Sequence, residues 1–398
     1  MAVHTSQSVA GPARILSVDV LRGLTIAFMI LVNTPGDSTH TFTPLEHAEW
    51  NGWTPTDLVF PNFLFLIGMS LIFSLQSRIG RGDNRLALAA HIIRRAAILF
   101  ALDIFIAAFP HFHFAGLRIY GVLTRIAVCY LIAALLLLVT RRVAVLTAIV
   151  VALLVGYWAL LRFVPVPGYG VPTRDVAMLD MTGNLTSWID REVSGFLMRT
   201  IHVGSLYRGT RDPEGLLSTM TAVATMLLGS IAAVLMRSLK YTTAAKRNAF
   251  AAAGVLCVIA GEVWNRSFPI NKNMWTSSYV LLAGGISLLS LALVYWLVDM
   301  EKLQDRSSVV RAVLWPWLVF GSNAIVVYVV SELLVDVLVS IRFSSAGKMT
   351  NAMAWLYTQG FSHGRSTEVT SVAFALAFVA VCFVPNWMLW RKRIFVKI

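Results

Sequence analysis

The chain has 398 residues, of which 57% are hydrophobic and only 13% are charged, and its mean hydropathy is +0.72. Soluble globular domains carry roughly 25% charged residues, so this composition excludes that class and predicts an integral membrane protein. Basic residues outnumber acidic ones, 33 to 20. In a membrane protein this excess is typical of cytoplasmic loops that face anionic lipid, so it does not indicate nucleic-acid binding.

Apolar stretches long enough to cross a bilayer recur along almost the whole chain. They predict an all-α integral membrane protein, a polytopic bundle of about ten transmembrane helices that forms one domain over residues 1–398. A β-barrel would show shorter, alternating segments. The predicted spans lie at about 17–33, 58–78, 88–109, 119–139, 143–163, 215–236, 248–264, 275–298, 312–340 and 368–390. Residues 1–13 form a polar tail without the basic region of a signal peptide, so we expect the first span to be an uncleaved helix.

Lys and Arg collect in alternate loops, which places both termini in the cytoplasm. The loop from Thr34 to Asp57 contains acidic residues but no Lys or Arg, and it falls on the opposite, outer side. The longest loop, residues 164–214, is predicted on the same outer face. Loops of that length are usually functional or disordered, and a short amphipathic helix is expected within residues 180–200.

The outer loop before the second span carries His47 between acidic residues and beside Trp50, Asn51 and Trp53. A histidine can remove a proton from an attacking nucleophile near neutral pH, and tryptophan rings can stack on a sugar. The alternative is an ordinary surface histidine. The loop therefore indicates a candidate reactive site at a membrane surface.

Asn33 ends the first predicted span and Asp57 opens the second, so the intervening loop returns both to the same membrane level. An amide there can stabilise an oxyanion, and a carboxylate can fix an imidazole tautomer. The competing interpretation is that both residues are helix caps, and spacing alone favours the caps.

Arg125 lies within the fourth predicted span, where a guanidinium suits bidentate binding of phosphate. The alternative is an ion pair with Asp103 or Glu262, and the sequence does not separate the two. Glu214 precedes the sixth span, whose free N–H groups could bind an anion. The three cysteines lie in apolar runs, so the sequence predicts neither a disulfide framework nor a metal site.

Several longer strings resemble the heparan-α-glucosaminide N-acetyltransferase family of transmembrane acyltransferases. The resemblance runs in order over nearly the whole chain. The strings are SVDVLRG from Ser17, VN at Val32–Asn33, HAEWNGWT from His47, DLVFP from Asp57, GVLTRIA from Gly121, DPEG from Asp212, PINKNMWTSSY from Pro269 and FGSNA from Phe320.

This resemblance implies a transfer of acetyl from acetyl-CoA to the amine of a glucosamine. The family's active-site histidine matches His47, and its asparagine at the end of the first core helix matches Asn33. We place Asp57 with these two as a catalytic group. Motif positions are also occupied by candidate acetyl-CoA-binding residues, Arg125, Lys272, Asn271, Glu214 and Asn323, and by candidate sugar-binding residues, Trp50, Asn51 and Trp275. Arg125 and Lys272 are the groups expected to meet the phosphates of CoA.

Under this interpretation His47 acts as a general base or as a transient acetyl carrier, and the sequence does not separate these routes. The acceptor is an amino sugar or glycan, and the protein is expected in a bacterial inner membrane, in contact with lipid, with the His47 loop on the periplasmic side. A homo-oligomer is possible. The competing functions are an O-acyltransferase of a cell-wall polysaccharide and a secondary transporter or flippase for a sugar.

Overall fold

The computed structural model describes residues 15–345 and 347–396, so the predicted polar tail at residues 1–13 lies outside the described residues. Over this part of the chain the structure is a helical bundle with one two-stranded antiparallel hairpin. The helices and strands are, in chain order, α1 (Leu16–Asn33), α2 (Val59–Ile79), α3 (Arg85–Ala108), α4 (Val122–Val139), α5 (Val143–Phe163), α6 (Leu185–Ile201), α7 (Leu216–Arg237), α8 (Thr243–Asn265), α9 (Ser277–Val294), α10 (Leu303–Arg306), α11 (Ser308–Ser322), α12 (Ala324–Ser340), β1 (Arg342–Ser345), β2 (Lys348–Asn351), α13 (Ala352–Tyr357) and α14 (Glu368–Arg391).

Eight helices in the described ranges are long and apolar enough to cross a membrane, and α11 with α12 makes a ninth if that bent pair is one span. The predicted all-α membrane fold is therefore confirmed, with a count slightly below the expected ten. The difference lies at α3, which forms as predicted but carries Arg94, Arg95 and Asp103 within its apolar stretch. Charged side chains are costly in hydrocarbon, so α3 is not among the candidate spans.

Helices α2 and α7 form a close contact in the centre of the bundle. A Cβ on Gly68 would lie 1.9 Å from the carbonyl oxygen of Met226, and one on Gly229 would lie 1.9 Å from that of Phe65. Only glycine at both positions lets the two backbones approach so closely. The contact fixes the position of α2 and therefore of the loop that immediately precedes it.

Three loops gather at one end of the bundle, namely residues 34–58, 164–215 and 266–276. Gly52 N–H donates to the carbonyl of Ile270 at 2.8 Å, and the Trp50 indole donates to the carbonyl of Leu179 at 2.8 Å. The first two loops are the ones that the charge pattern placed on a common face. The predicted helix in the long loop forms as α6.

Helices α11 and α12 meet at an angle of 80°. Asn323 lies at the break, where its φ of −136° and ψ of 46° are not helical. Its side chain donates to the carbonyl of Ile394 at 3.1 Å and accepts from the N–H of Val396 at 2.8 Å. Asn323 thus joins the bend to the segment that follows α14.

Candidate active site around His47

The start of α2 is preceded by a short 3-10 helix at Pro55–Leu58, and its capping creates the first part of the site. Thr54 is the N-cap residue, and its N–H donates to Asp57 Oδ2 at 3.0 Å. The N–H of Ala48 donates to the same oxygen at 3.0 Å. The cap interpretation of Asp57 is therefore confirmed, because its carboxylate folds the His47 loop back onto the helix start.

The other oxygen of Asp57 binds His47. His47 Nδ1 lies 2.8 Å from Asp57 Oδ1, and the Asp57 side chain is wholly buried while that of His47 is 48% exposed. A carboxylate at Nδ1 favours the proton on that nitrogen, which leaves the lone pair on Nε2. The cap and the orientation of the imidazole are thus two functions of one carboxylate.

Lys272, from the loop between α8 and α9, completes the group. Its Nζ lies 2.9 Å from His47 Nδ1, 3.2 Å from His47 Nε2 and 3.5 Å from Asp57 Oδ1. Burial lowers the pKa of Lys272, and the Asp57 carboxylate opposes this effect. The Lys272 Nζ thus lies against both ring nitrogens, nearer to Nδ1 than to the Nε2 that a general base would use, and a substrate must move it aside to reach Nε2.

The loop that presents Lys272 is held by Asn271. The Asn271 side chain is fully buried, accepts from Met274 N–H at 2.9 Å and donates to Asn51 Oδ1 at 3.2 Å. Asn51 and Asn271, expected to bind sugar and CoA respectively, are thus in contact with each other and join the two loops of the site.

Tyr279 is a site residue to which the sequence assigned no role. Its buried hydroxyl donates to the backbone carbonyl of Asp57 at 2.5 Å, so α9 also fixes the start of α2. The residue lies in the PINKNMWTSSY string, and that string was the signal available for finding it.

The two tryptophans predicted to bind sugar occupy different environments. Trp50 is partly buried, and the Arg211 guanidinium lies 4.4 Å from its ring centroid. Trp275 is only 1% exposed, and its ring packs edge-on against Phe60 and Tyr279. Trp275 therefore lies in the core beside the site. A contact with sugar stays a prediction for Trp50 and for Trp275.

Asn33 is the last residue of α1, and its side chain is exposed. Among the described residues it makes no hydrogen bond to His47. Its predicted role toward an oxyanion therefore depends on the family resemblance.

The ion pairs considered for Arg125 are not formed. Asp103 accepts from Leu123 and Thr124 at the start of α4, and Glu262 accepts from Asn265. Arg125 is 1% exposed and donates from Nη2 to the carbonyl of Gly215 at 3.1 Å and to the hydroxyl of Ser218. The ion-pair alternative is therefore wrong, and phosphate binding by Arg125 stays a prediction.

Arg118, rather than Arg125, pairs with the acids of the DPEG string. It donates to Asp212 at 2.6 and 2.7 Å and to Glu214 Oε2 at 2.7 Å. Burial raises the pKa of Glu214. Burial alone would lower the pKa of Arg118, but its carboxylate partners Asp212 and Glu214 outweigh this effect and raise that pKa above its usual value. This cluster fixes the start of α7.

Basic side chains surround a cavity at the opposite end of α2 from His47, which we call the basic cavity. Its volume is about 660 Å³. It is lined by Arg22, Phe63, Ile67, Ser70, Ser74, Ser77, Arg78, Arg81, His91, Arg94, Arg95, Gly321, Ser322, Asn323, Ala324, Ile325, Phe395 and Val396. Of the residues expected to bind acetyl-CoA, Asn323 lines this cavity, whereas Arg125 and Glu214 line a different one between α4, α5 and α7.

Comparison with known proteins agrees with the motifs. Residues 14–181, which include Asn33, His47 and Asp57, match the family model described as heparan-alpha-glucosaminide N-acetyltransferase, catalytic. The chain is 30% identical over 434 aligned residues to the Homo sapiens heparan-alpha-glucosaminide N-acetyltransferase and 29% identical over 429 to the Mus musculus protein of that name.

Each alignment covers 97% of this chain and 60% of the relative. The chain thus spans about three fifths of the length of these relatives. The resemblance predicted from the motifs is confirmed, and the chain is related in sequence to the heparan-α-glucosaminide N-acetyltransferase family.

Proposed function

We propose that this protein is a membrane acetyltransferase that moves acetyl from acetyl-CoA to the amine of a glucosamine-type sugar. The observation that carries the proposal is the His47–Asp57–Lys272 group, whose histidine lies within the part of the chain that matches the family's catalytic model. The exposed half of His47 is accessible to a sugar, while its Nδ1 is fixed by a buried carboxylate.

His47 acts as the general base. A glucosamine amine is nucleophilic only when neutral, so Nε2 removes its proton as the nitrogen attacks the thioester carbonyl. Such a base typically accelerates a reaction by roughly 10²–10⁴-fold. For Nε2 to be free, Lys272 turns toward Asp57 Oδ1, which is only 3.5 Å from its Nζ.

Asn33 donates its amide to the oxyanion of the tetrahedral intermediate. Analogous donors are worth roughly 3–4 kcal/mol of barrier. When the intermediate collapses, the C–S bond breaks and CoA leaves as the thiol, with the proton returned from the imidazolium. The products are an N-acetyl sugar and CoA.

Acetyl-CoA binds with its phosphates in the basic cavity, and this placement replaces the expectation that Arg125 and Lys272 meet those phosphates. Arg81 and Arg94 line the basic cavity and can neutralise phosphate charges, and Arg78, which pairs with Asp83 at 3.2 Å, lies beside them. The cavity runs along α2 as far as Phe63, which lies six residues, or roughly 9 Å, from Asp57. The pantetheine arm then extends along α2 toward His47.

A second, apolar cavity of about 470 Å³ continues in that direction. It is lined by Pro55, Leu58 and Asn62 at the His47 end of α2 and by Leu21 and Thr25 of α1. Both cavities are lined by α1 and α2, the apolar one by Leu21 and Asn62 and the basic one by Arg22 and Phe63. This arrangement supports a path for the arm between α1 and α2.

The proposal includes a location and an orientation. We place the chain in a bacterial inner membrane, with the basic cavity facing the cytoplasm, where acetyl-CoA is made, and the His47 loop facing the periplasm. Acetyl then crosses the membrane on CoA, and the sugar never has to enter the bilayer.

The test is purified protein with labelled acetyl-CoA and glucosamine. We expect a labelled N-acetyl sugar that survives mild base, since an ester would not. His47→Ala should abolish the product, while Glu49→Gln, which changes an exposed acid of the same loop, should not. An ester product would support an O-acyltransferase, and sugar uptake by proteoliposomes without CoA would support a transporter.

A second measurement separates the two roles of His47. The general-base route predicts no labelled protein when acceptor is omitted. Labelled acetyl retained by the wild-type chain and lost in His47→Ala would instead establish the acetyl carrier.

A further inference from the structure

A cavity between α4, α5 and α7 is separate from both cavities used above, and we call it the lateral cavity. Its volume is about 650 Å³. Tyr120, Thr124, Arg125 and Glu214 line one end. The walls beyond them are apolar and are formed by Val128, Ile132, Leu136, Ile149, Leu153 and Leu227.

The polar end of the lateral cavity presents donors without acceptors. Arg125 is 1% exposed, and among the described residues its Nε and Nη1 have no hydrogen-bond partner. The Tyr120 hydroxyl, in a side chain that is 4% exposed, also has none. A buried donor left unsatisfied is destabilising, more so when it is charged. The Arg125 guanidinium also lies 5.0 Å from the centroid of the Trp275 ring, which supplies no acceptor oxygen. The three atoms have almost no accessible surface, so a ligand that brings acceptor oxygens reaches them once the Arg125 and Tyr120 side chains turn toward the cavity.

The apolar part has the dimensions of a lipid chain. Thr124, Val128, Ile132 and Leu136 are four residues apart and share one face of α4, over roughly 18 Å. One leaflet of hydrocarbon is roughly 15 Å deep. Val128 and Ile132 are 38% and 47% exposed, so the cavity opens on the apolar outer face of the bundle. An acyl chain can enter it directly from the membrane.

Both signs of charge meet at the polar end. The Arg125 guanidinium donates to the carbonyl of Gly215, and Glu214 is the preceding residue. Glu214 Oε2 accepts a hydrogen bond from Arg118, and among the described residues no hydrogen bond is made to Glu214 Oε1. A phosphate ester fits Arg125 and Tyr120, and an ammonium group fits Glu214.

We propose that the lateral cavity binds one membrane phospholipid whose headgroup carries a primary amine. Its phosphate oxygens accept from Arg125 and Tyr120, its ammonium donates to Glu214, and one acyl chain lies along α4. CoA, the other phosphate ligand considered for Arg125, has no long hydrocarbon chain to fill the apolar part. This inference does not depend on the acetyltransferase proposal.

The test uses the full chain, purified in detergent and examined by native mass spectrometry after adding defined lipids. We expect phosphatidylethanolamine to be retained in preference to phosphatidylcholine, which has the same phosphate but no N–H donor. Ile132→Trp fills the apolar part and should reduce retention by about tenfold or more. Val139→Trp is the matched control, because Val139 is 78% exposed and lies on the same helix outside the cavity.

A second variant tests the polar end without removing the buried charge. Tyr120→Phe deletes one donor and should weaken retention about fivefold, as expected for one hydrogen bond. The proposal is overturned if Ile132→Trp retains the lipid as well as the control does, or if phosphatidylcholine binds equally well. Displacement of the bound lipid by acetyl-CoA or by inorganic phosphate alone would also overturn it.

Discussion

The imidazole of His47 is bound through Nδ1 to the buried carboxylate of Asp57 at 2.8 Å, and the same carboxylate caps the helical turn that follows the loop. Folding of the loop and orientation of the ring therefore depend on one side chain. A change at Asp57 should affect both, and the two effects can be measured separately.

Asp57→Asn should lower kcat by roughly 10²–10⁴-fold, because an amide can present N–H to His47 and favour the wrong tautomer. Acetyl transfer to glucosamine measures this, with the thermal midpoint recorded in parallel. Glu49→Gln is the control, since Glu49 is an exposed acid in the same loop. Full activity in a folded Asp57→Asn protein would exclude an orienting role for the carboxylate.

Lys272→Met should raise kcat/KM for glucosamine, because the Lys272 Nζ lies 3.2 Å from His47 Nε2 and a substrate must displace it. Lys272→Arg, which keeps a cation at this position, should leave kcat/KM near its wild-type value. Steady-state kinetics of both variants makes the comparison. Identical kcat/KM in Lys272→Met and wild type would show that the lysine does not compete with the substrate for the histidine.

Asp190 on α6 should make stability depend on pH. Burial raises its pKa to about 7, from 3.8 in an unfolded chain. The folded protein then keeps a proton that the unfolded chain releases, so stability falls as pH rises from about 4 to 7 and is constant above that. The largest loss is of the order of 4 kcal/mol.

Asp190→Asn should flatten this dependence. Thermal midpoints measured between pH 5 and pH 8 should fall less in the variant than in wild type. Glu192→Gln, at an exposed acid on the same helix, should keep the wild-type slope. A variant with an unchanged slope would mean that Asp190 is ionised in the folded protein throughout this range.

Arg118→Met should destabilise the protein strongly. It would leave Asp212 and Glu214 without their shared cation, and Asp212 is fully buried. Breaking a buried pair by removing one partner costs about 3–5 kcal/mol. Arg174→Gln removes a pair that is exposed, and its thermal midpoint should match that of wild type. Thermal unfolding of both variants in the same detergent makes the comparison.

Gly229→Ala should prevent the close contact between α2 and α7, because its Cβ would lie 1.9 Å from the carbonyl oxygen of Phe65. We expect little folded protein on size-exclusion chromatography. Gly156→Ala on α5 is the control, since its nearest neighbour would be a side-chain atom of Met220 at 3.5 Å. Similar yields of both variants would contradict the contact.

Much of the fold was predictable from hydrophobic length alone. Each predicted span contains a helix, because a stretch of apolar residues in lipid has to satisfy its own backbone hydrogen bonds. The exceptions concern charge and curvature. The charges of α3 disqualify it as a candidate span, and the predicted span at 312–340 is two helices that meet at 80°. Gly321, Ser322 and Asn323 lie at the break, and Pro316 lies inside α11, but the helical period and the hydropathy continue through all of them and do not reveal the bend.

The site was predictable only in part. Asn33, His47 and Asp57 lie close in sequence, and the last two do meet in the structure. Lys272 comes from a loop more than two hundred residues away, so no local spacing links it to His47. Arg125 is a different case. Its burial was foreseen, and the acids considered as its alternative ion-pair partners are engaged elsewhere, while its binding of phosphate stays a prediction.

The anchoring of the C-terminal segment by Asn323 has a practical consequence. Phe395 and Val396 line the basic cavity, to which we assign acetyl-CoA. A reporter attached at either residue therefore obstructs the nucleotide and depresses measured turnover without altering the chemistry at His47. Labels for binding assays should be placed elsewhere in the chain.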